Sequence, residues 1–312
     1  MITIKNYLSL VKFSHTVFAM PFAMIGFFLA ITRSTTNTGE TNLNNTIGWG
    51  QDITNFVFLR EIGIKFILVI LCMITARSAA MAYNRYLDKS FDAKNPRTAI
   101  REIPSGIITA NNALTFVIIN CIAFMVCTYF INRLCFFLSP VALFVILIYS
   151  YTKRFTALCH LVLGLGLSLA PIGAYIAVTG RFNFLPILFS LIVLFWVSGF
   201  DIIYALQDEE FDRTNNLYSI PALLGKRNAL HVSKLLHFVS AALVITAGYI
   251  GSFYWVYWLG AGLFCSMLIY QHSIVKPTDL KKVNLAFMTA NGIASVVFAV
   301  FVIADLFISN AK

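Results

Sequence analysis

Five of the eight aspartates in this 312-residue chain fall in two short clusters, each at the end of an apolar segment. The clusters read Asn84-Arg-Tyr-Leu-Asp88-Lys-Ser-Phe-Asp92 and Asp201-Ile-Ile-Tyr204-Ala-Leu-Gln-Asp208-Glu-Glu-Phe-Asp212. Residues four apart lie on one face of a helix, and residues seven apart nearly do, so the spacing predicts one acidic stripe per cluster. Carboxylates stacked in this way repel each other unless cations lie between them. Hard divalent cations with oxygen ligands, above all Mg²⁺ shared with a phosphate, are the usual solution.

The composition is typical of an integral membrane protein. Hydrophobic residues make up 59% of the chain, charged residues 12%, and the mean hydropathy is +0.80, whereas a soluble domain carries roughly 25% charged residues. Apolar stretches recur at about the 20 residues that span a bilayer as a helix, too long for barrel strands. We predict a single all-α membrane domain over residues 1–312. Its nine predicted transmembrane helices are 13–31, 64–83, 112–131, 134–152, 157–179, 184–204, 235–252, 254–271 and 284–307.

The net charge of +10 is better explained by membrane topology than by nucleic-acid binding, because basic residues collect in cytoplasmic loops. With the N-terminus inside, sixteen lysines and arginines fall in inside loops and six in outside segments. This bias predicts a multi-pass protein of a bacterial-type inner or plasma membrane, with both aspartate clusters on the cytoplasmic face. Two long inside loops, roughly 84–111 and 205–234, each follow an aspartate-bearing helix end and then carry basic residues. The first apolar stretch could be a signal sequence, but the later spans favour a retained helix.

The two clusters suggest binding of a diphosphate. Mg²⁺ between acidic side chains and phosphate oxygens converts repulsion into a bridge. Positive charge nearby comes from Lys94, Arg97, Arg101, Lys153 and Arg154. A long apolar chain on the diphosphate would lie between the helices, within the membrane lipid. Loss of diphosphate from an allylic carbon leaves a carbocation, which aromatic faces stabilise. The chain contains 29 Phe and 13 Tyr residues.

Both motifs, in this order and at this separation, resemble those of the UbiA family of membrane prenyltransferases. The chain is most similar to its 4-hydroxybenzoate polyprenyltransferase branch and the menaquinone-pathway relatives. The likeness rests on both clusters and on three further segments. Two of these follow the first cluster: Asn95-Pro96-Arg97-Thr98 and Arg101-Glu102-Ile-Pro104-Ser-Gly106. The third is the opening Lys12-Phe-Ser-His15-Thr-Val-Phe-Ala-Met-Pro21-Phe. The likeness covers nearly the whole chain.

This resemblance implies a bundle around a central cavity with cytoplasmic cap loops. It also implies a polyprenyl diphosphate donor, the cofactor Mg²⁺ and an aromatic acid acceptor alkylated on a ring carbon during ubiquinone or menaquinone biosynthesis. The implied roles are Mg²⁺ and diphosphate binding by Asn84, Asp88, Asp92, Asp208 and Asp212; phosphate contact by Lys153; contact with diphosphate or an acceptor carboxylate by Arg97 and Arg101; and orientation or help with proton loss by Asp201 and Tyr204. Many members have Asn-Asp at the start of the first motif, where this chain has Asn84-Arg85.

Two further residues are candidates for substrate binding. Arg77 lies seven residues before Asn84, on the same helix face, and is predicted to pair with a site carboxylate or the diphosphate. A structural ion pair, or snorkelling to the interface, is the alternative. His15 is a candidate acceptor contact, although a histidine early in a span is more often an interhelical hydrogen-bonding residue.

Other functions stay open at this point. The aspartates could be solvated carboxylates at the membrane interface, or the acceptor could be haem, a naphthoate or a glycerol phosphate. A cation-coupled secondary transporter is an alternative from another class. Against a transporter, the acidic residues gather on one side of the membrane beside basic loops.

Overall fold

The computed structural model describes residues 4–11, 19–34 and 52–310, and these residues form an all-α bundle. The helices in chain order are α1 (Ile4–Leu10), α2 (Met20–Ser34), α3 (Asp52–Leu87), α4 (Lys89–Asp92), α5 (Ala110–Ile131), α6 (Arg133–Thr152), α7 (Cys159–Thr179), α8 (Phe184–Ala205), α9 (Glu209–Thr214), α10 (Ile220–Ile250), α11 (Trp255–Ile274) and α12 (Asn291–Asn310). A 3₁₀ turn at Leu206–Asp208 joins α8 to α9, and a π-helix at Leu285–Ala290 leads into α12.

The predicted all-α membrane architecture is confirmed. Seven helical segments of the described residues are long and apolar enough to cross a bilayer: Leu59–Leu87, Ala110–Ile131, Arg133–Thr152, Cys159–Thr179, Phe184–Thr214, Ile220–Ile250 and Leu285–Ser309. The other two predicted spans correspond to α2, whose apolar part Met20–Arg33 is shorter, and to α11. The chain is a multi-pass membrane protein, while the count of nine spans and the single domain over residues 1–312 stay predictions.

Two polar stretches that the sequence assigned to loops contain helix. Helix α3 begins at Asp52, inside the predicted outside loop 32–63. The Glu61–Lys65 ion pair (3.0 Å) lies in its third and fourth turns at the favourable i,i+4 spacing. Helix α10 begins at Ile220, inside the predicted loop 205–234, where the Ser219 hydroxyl accepts the Ala222 N–H. Such a hydroxyl satisfies one of the donors that a helix N-terminus leaves free.

Helix α8 is the central element of the bundle. It packs against α7 and α10, and its Trp196 lies at 0% exposure in the largest core cluster. The Trp196 ring centroid is 5.3 Å from that of Phe22 and 5.9 Å from that of Phe264. Because α8 is fixed by neighbours on several sides, its last turns hold the second aspartate motif at a defined place in the bundle.

A close contact sets the register between α7 and α8. A Cβ atom added to Gly164 of α7 would lie 2.3 Å from the Ser198 hydroxyl and 2.4 Å from the Leu194 carbonyl oxygen, both of α8. Only glycine permits this approach, because any side chain would meet backbone of the neighbouring helix. The contact lies one turn from His160 of α7 and one turn from Asp201 of α8.

The π-helix brings an aromatic side chain to the second motif. Its loosened backbone is satisfied by the Asn291 amide, which donates to the carbonyls of Ala286 and Phe287 at 3.1 Å each. Asn291 in turn accepts the indole N–H of Trp196 at 3.0 Å. In this arrangement the Phe287 ring packs on Tyr204 with a centroid distance of 4.3 Å.

Helix α1 packs against the loop that follows the first motif. Leu10 is fully buried in a cluster that includes Ile103 and Ile108 of this loop, and the Ser9 hydroxyl donates to Glu102. The loop over residues 93–109 is therefore held from the side by the start of the chain.

Candidate active site

The first aspartate motif keeps its predicted single face. Helix α3 ends at Leu87, yet the Asp88 N–H bonds the Asn84 carbonyl at 3.0 Å and the Asp92 N–H bonds the Asp88 carbonyl at 2.7 Å. This helical bonding continues the i,i+4 spacing to Asp92 and brings the three polar side chains to one side. The Asn84 amide also donates to the Asp88 carboxylate at 3.3 Å.

The second motif departs from the predicted single stripe. The 3₁₀ turn interrupts the helix, so Asp201 lies in α8, Asp208 at the end of the turn and Asp212 in α9. The three side chains consequently have different surroundings. Asp201 contacts His160 inside the bundle at 2.7 Å, whereas Asp208 and Asp212 contact basic residues at the bundle end.

The loop after the first motif joins it to the second. Arg97 holds both carboxylate oxygens of Asp208, with its Nε at 3.1 Å from Oδ1 and its Nη2 on Oδ2. Its remaining amino group donates to the Tyr204 hydroxyl at 3.1 Å, and the Asn95 amide donates to Asp208 at 3.3 Å. Paired, parallel bonds of this kind give direction as well as attraction. The two motifs therefore meet at one end of the bundle.

The other motif aspartates at this end are each matched by a cation. Arg101 bonds Asp92 at 2.7 Å, and Lys153 lies 2.6 Å from Asp212. Arg154 lies 3.6 Å from Asp88. The structure thus brings together the predicted acidic residues and the predicted basic residues Arg97, Arg101 and Lys153.

Electrostatics distinguish two of these groups. Burial, together with the neighbouring Asp92 charge, raises the pKa of the Asp88 carboxyl from 3.8 to about 6, although Lys153 and Arg154 act in the opposite sense. Burial alone would lower the pKa of Lys153, but the Asp212 carboxylate raises it above its ordinary value. At neutral pH Lys153 therefore keeps its charge, and the Asp88 carboxyl accepts a proton more readily than an ordinary aspartate.

A largely apolar cavity of about 540 Å³ opens beside the two motifs. Its wall follows α3 from Val69 to Arg85, a length of about 24 Å at 1.5 Å per residue, and includes Cys135 and Phe182 at the far end. The polar lining residues predicted for the site are Arg77, Asn84, Arg101, Asp201 and Tyr204. The cavity has the form expected for a long apolar substrate with a polar head.

The donor set fits a hard divalent cation. Asp92 is 6% exposed, and its Oδ2 atom is buried without a hydrogen-bond partner. Carboxylate and amide oxygens from the two motifs are the ligand type that Mg²⁺ takes. Across residues 4–11, 19–34 and 52–310, however, no three His, Cys, Asp or Glu side chains form a ready-made metal cluster. The ligand set Asn84, Asp88, Asp92, Asp208 and Asp212 therefore stays a prediction.

The remaining predicted residues have mixed outcomes. Arg77 lines the cavity, but within the described chain it makes no salt bridge, and its Nε lacks a hydrogen-bond partner. Arg85, the departure from the family motif, is 4% exposed and lines the same cavity. His15 lies outside the described residues.

Sequence reasoning missed His160, Ser219 and the aromatic partner Phe287. His160 is 2% exposed and contacts Asp201, while the Ser219 hydroxyl donates to Asp212 at 2.9 Å. Ser219 could have been found as a helix N-cap from its place before Ile220-Pro221. No local spacing signals His160, since its partner is 41 residues away.

Comparison with known proteins agrees with this geometry. The sequence model described as UbiA prenyltransferase family matches residues 59–293. A 4-hydroxybenzoate octaprenyltransferase from Tolumonas auensis is 32% identical over 232 residues, which cover 73% of this chain and 79% of the relative. A protein of the same name from Actinobacillus pleuropneumoniae is 30% identical over 223 residues, covering 71% and 75% of the two chains.

Solved structures have the same fold. The apo structure of a UbiA homolog from Aeropyrum pernix K1 superposes with a TM-score of 0.73 at 26% identity, covering 95% of this chain and 98% of that one. A UbiA homolog from Archaeoglobus fulgidus bound to DMAPP and Mg²⁺ gives a TM-score of 0.71 at 18% identity, covering 97% and 99%. The predicted family and enzyme class are confirmed: with two acidic motifs facing each other across basic loops above an apolar cavity, this chain belongs to the UbiA prenyltransferase family.

Proposed function

We propose that the protein transfers a polyprenyl group from polyprenyl diphosphate to a ring carbon of a 4-hydroxybenzoate-like aromatic acid, in an Mg²⁺-dependent step of ubiquinone or menaquinone biosynthesis. The site would face the cytoplasm from the inner or plasma membrane of a bacterial-type cell. One observation carries the proposal: the apolar cavity ends where the two aspartate motifs and their basic partners meet.

The polar end suits a diphosphate. The charged groups of Arg97, Arg101 and Lys153 already contact motif aspartates. On donor binding these cations can turn from carboxylate to phosphate oxygens, for which arginine has the same forked geometry. Bound Mg²⁺, held by oxygens of Asn84 and the four aspartates, would supply charge neutralisation of the diphosphate as it leaves.

The cavity wall beside the motifs suits an aromatic acid. Arg85 is buried and lines the cavity, and Arg77 lines it with a buried Nε atom. A carboxylate is the natural counter-charge for such guanidinium groups. The Tyr204 and Phe287 rings, in contact with each other at a tilt of 33°, would give the acceptor ring an aromatic partner and keep water from the reactive cation. The names of the Tolumonas and Actinobacillus relatives support 4-hydroxybenzoate as the acceptor.

The proposed reaction needs little acid–base help before the bond forms. The cations position the diphosphate, and the aromatic faces near Tyr204 stabilise the allylic cation by about 0.5–2 kcal/mol each. The ring carbon beside the acceptor hydroxyl then attacks. Haem, naphthoate and glycerol phosphate remain alternative acceptors, and transport remains the alternative of another class.

The test uses purified full-length protein, labelled polyprenyl diphosphate and a panel of the four acceptors, with Mg²⁺ or a chelator. We expect prenylated 4-hydroxybenzoate and diphosphate release only with Mg²⁺, and loss of both in Asp208→Asn. The matched control is Glu210→Gln, an exposed carboxylate two residues away, which should retain activity. Preference for another acceptor would overturn the substrate, and proteoliposome uptake without chemistry would overturn the enzyme function.

A further inference from the structure

We propose that His160 is a positioning residue that holds the Asp201 carboxylate as the acceptor of the ring proton. This inference rests on the proposed function. The starting observation is that Asp201 is the only carboxylate among the described residues that line the cavity. The four other motif aspartates lie beyond its wall, at the diphosphate end.

The hydrogen bonds of His160 define which ring nitrogen carries the proton. The Ile220 backbone N–H donates to His160 Nε2 at 3.3 Å, so Nε2 offers a lone pair. The proton of the neutral ring is then on Nδ1, which donates to Asp201 Oδ2 at 2.7 Å. A neutral donor of this kind fixes the orientation of a carboxylate without neutralising it.

The histidine is itself held rigidly. Its side chain is 3% exposed, and its carbonyl oxygen accepts the Ser198 hydroxyl at 3.1 Å. Ser198 lies against Gly164, at a close approach of α7 and α8. The nitrogen that accepts from Ile220 is fixed by the first turn of α10, so three helices determine where the Asp201 carboxylate lies.

Asp201 keeps one oxygen for the substrate. With Oδ2 engaged by His160, the Oδ1 atom of a side chain that is 16% exposed is available towards the cavity. Tyr204, one turn further along α8, lines the same wall and bonds Arg97 of the diphosphate end. A ring placed against Tyr204 would therefore lie between the leaving group and the Asp201 carboxylate.

The proposed transfer ends with the ring proton on Asp201. The carbon–oxygen bond of the allylic diphosphate breaks, and its electron pair leaves with the diphosphate. A ring carbon of the acceptor forms the new carbon–carbon bond, which makes the ring a cation. The electron pair of the carbon–hydrogen bond at that atom returns to the ring, and the proton passes to Asp201. His160 keeps its own proton throughout and later water carries the proton away from Asp201.

The decisive experiment is a primary isotope effect with acceptor that is deuterated at the reacting ring positions. In the unmodified protein, loss of the ring proton follows a slower ionisation, so deuterium should leave kcat unchanged. In His160→Leu the carboxylate is no longer held, and we expect kcat to fall about tenfold or more, with a normal isotope effect. Donor KM and Mg²⁺-dependent donor binding should stay unchanged.

Two further variants separate positioning from stability. His160→Gln should restore most activity without an isotope effect, because its amide can donate to Asp201 and accept from Ile220. If His160→Leu does not fold, His160→Asn replaces it, since that amide is polar but too short to reach both partners. The control His237→Gln changes another buried histidine, bonded to His272 and the Trp196 carbonyl, and should produce no isotope effect.

The outcomes are separable. Activity lost in His160→Leu with no isotope effect, or with donor binding lost in parallel, would overturn the positioning role while leaving the proposed function intact. If the unmodified protein forms no prenylated product at all, the proposed function fails and the role of His160 fails with it.

Discussion

Asp208 illustrates how one side chain can connect distant parts of a site. Both of its oxygens are held by Arg97, which also bonds Tyr204. A guanidinium fork matches a carboxylate in a way that an ammonium group does not. The loop over residues 93–109 therefore depends on an arginine here for its position above the second motif.

We expect Arg97→Lys to lower kcat/KM for the donor about tenfold or more, because one paired, charge-assisted contact contributes about 1.5–3 kcal/mol. Steady-state kinetics with varied donor will measure the effect. Arg213→Lys is the matched control, since Arg213 is exposed and its salt bridge is to Glu209 at 3.4 Å, away from Asp208. Equal kinetics in the two variants would contradict the role of the fork.

The raised pKa of Asp88 predicts how the stability of the fold depends on pH. Its folded pKa of about 6 lies above the ordinary 3.8, so its neutral form is favoured by folding and stability is lost as pH rises through 6. In the metal-free protein, Asp88→Asn should therefore raise the unfolding temperature more at pH 7.5 than at pH 5, since the loss of stability runs from about pH 3.8 to about pH 6. Turnover should be abolished by the same substitution. A stabilisation that is equal at both pH values would argue against the raised pKa.

At the scale of the element, the contact between α7 and α8 controls the site from a distance. Gly164 allows the two helices to approach, and this approach brings His160 to Asp201. We expect Gly164→Val to destabilise the protein by about 1–3 kcal/mol or more, the usual cost of overpacking, and to reduce turnover. Thermal unfolding and product formation will measure both effects.

The control for that prediction is Gly262→Val in α11, where an added Cβ meets nothing within 4 Å. It carries the same change in helix propensity without the interhelical clash. A similar loss of stability in both variants would mean that propensity, and not the close approach, explains the result.

The elements also explain what the sequence could and could not predict. The first motif kept its face because helical hydrogen bonds continue to Asp92, which spacing alone anticipates. The second motif did not, because the 3₁₀ turn before Glu209 changes the residues per turn, and no residue type announces it. The start of α10 was hidden by charged Lys226 and Lys234, which made a helix resemble a loop.

His160 marks the limit of prediction for the site. Spacing rules find residues that share one helix, such as Asn84 and Asp88, because their separation is fixed by helix geometry. The pairing of His160 with Asp201 depends on how two helices pack, and Gly164 decides that packing only in three dimensions. The all-α membrane bundle, by contrast, follows from composition and the length of apolar segments.

At the scale of the whole molecule, substrate should stabilise the fold. A donor fills the cavity beside α3 and occupies the cations that otherwise bond Asp92, Asp208 and Asp212. Binding to the folded state alone adds about 2.7 kcal/mol at a ligand concentration of 100 Kd. We expect a non-hydrolysable polyprenyl diphosphate with Mg²⁺ to raise the unfolding temperature more than either component alone.

The control for the predicted rise in unfolding temperature uses inorganic diphosphate with Mg²⁺. Inorganic diphosphate can occupy the polar end of the cavity but leaves its apolar wall uncovered. Thermal unfolding in detergent will measure both. An equal shift with inorganic diphosphate would contradict a role for the cavity in holding the donor chain.

The π-helix at Leu285–Ala290 has a consequence for how this chain can change. It contains more residues per turn than an α-helix, so removing one codon from this stretch would convert it to ordinary α-helix without breaking the bundle. The residues on either side would keep their facing, because the wider turn absorbs the extra residue, while the side chains inside the stretch would change direction. Phe287 would leave the Tyr204 ring, against which it now lies. A one-residue deletion that leaves membrane insertion unchanged would thus change which side chain lies beside Tyr204, and with it the surface proposed to hold the acceptor ring.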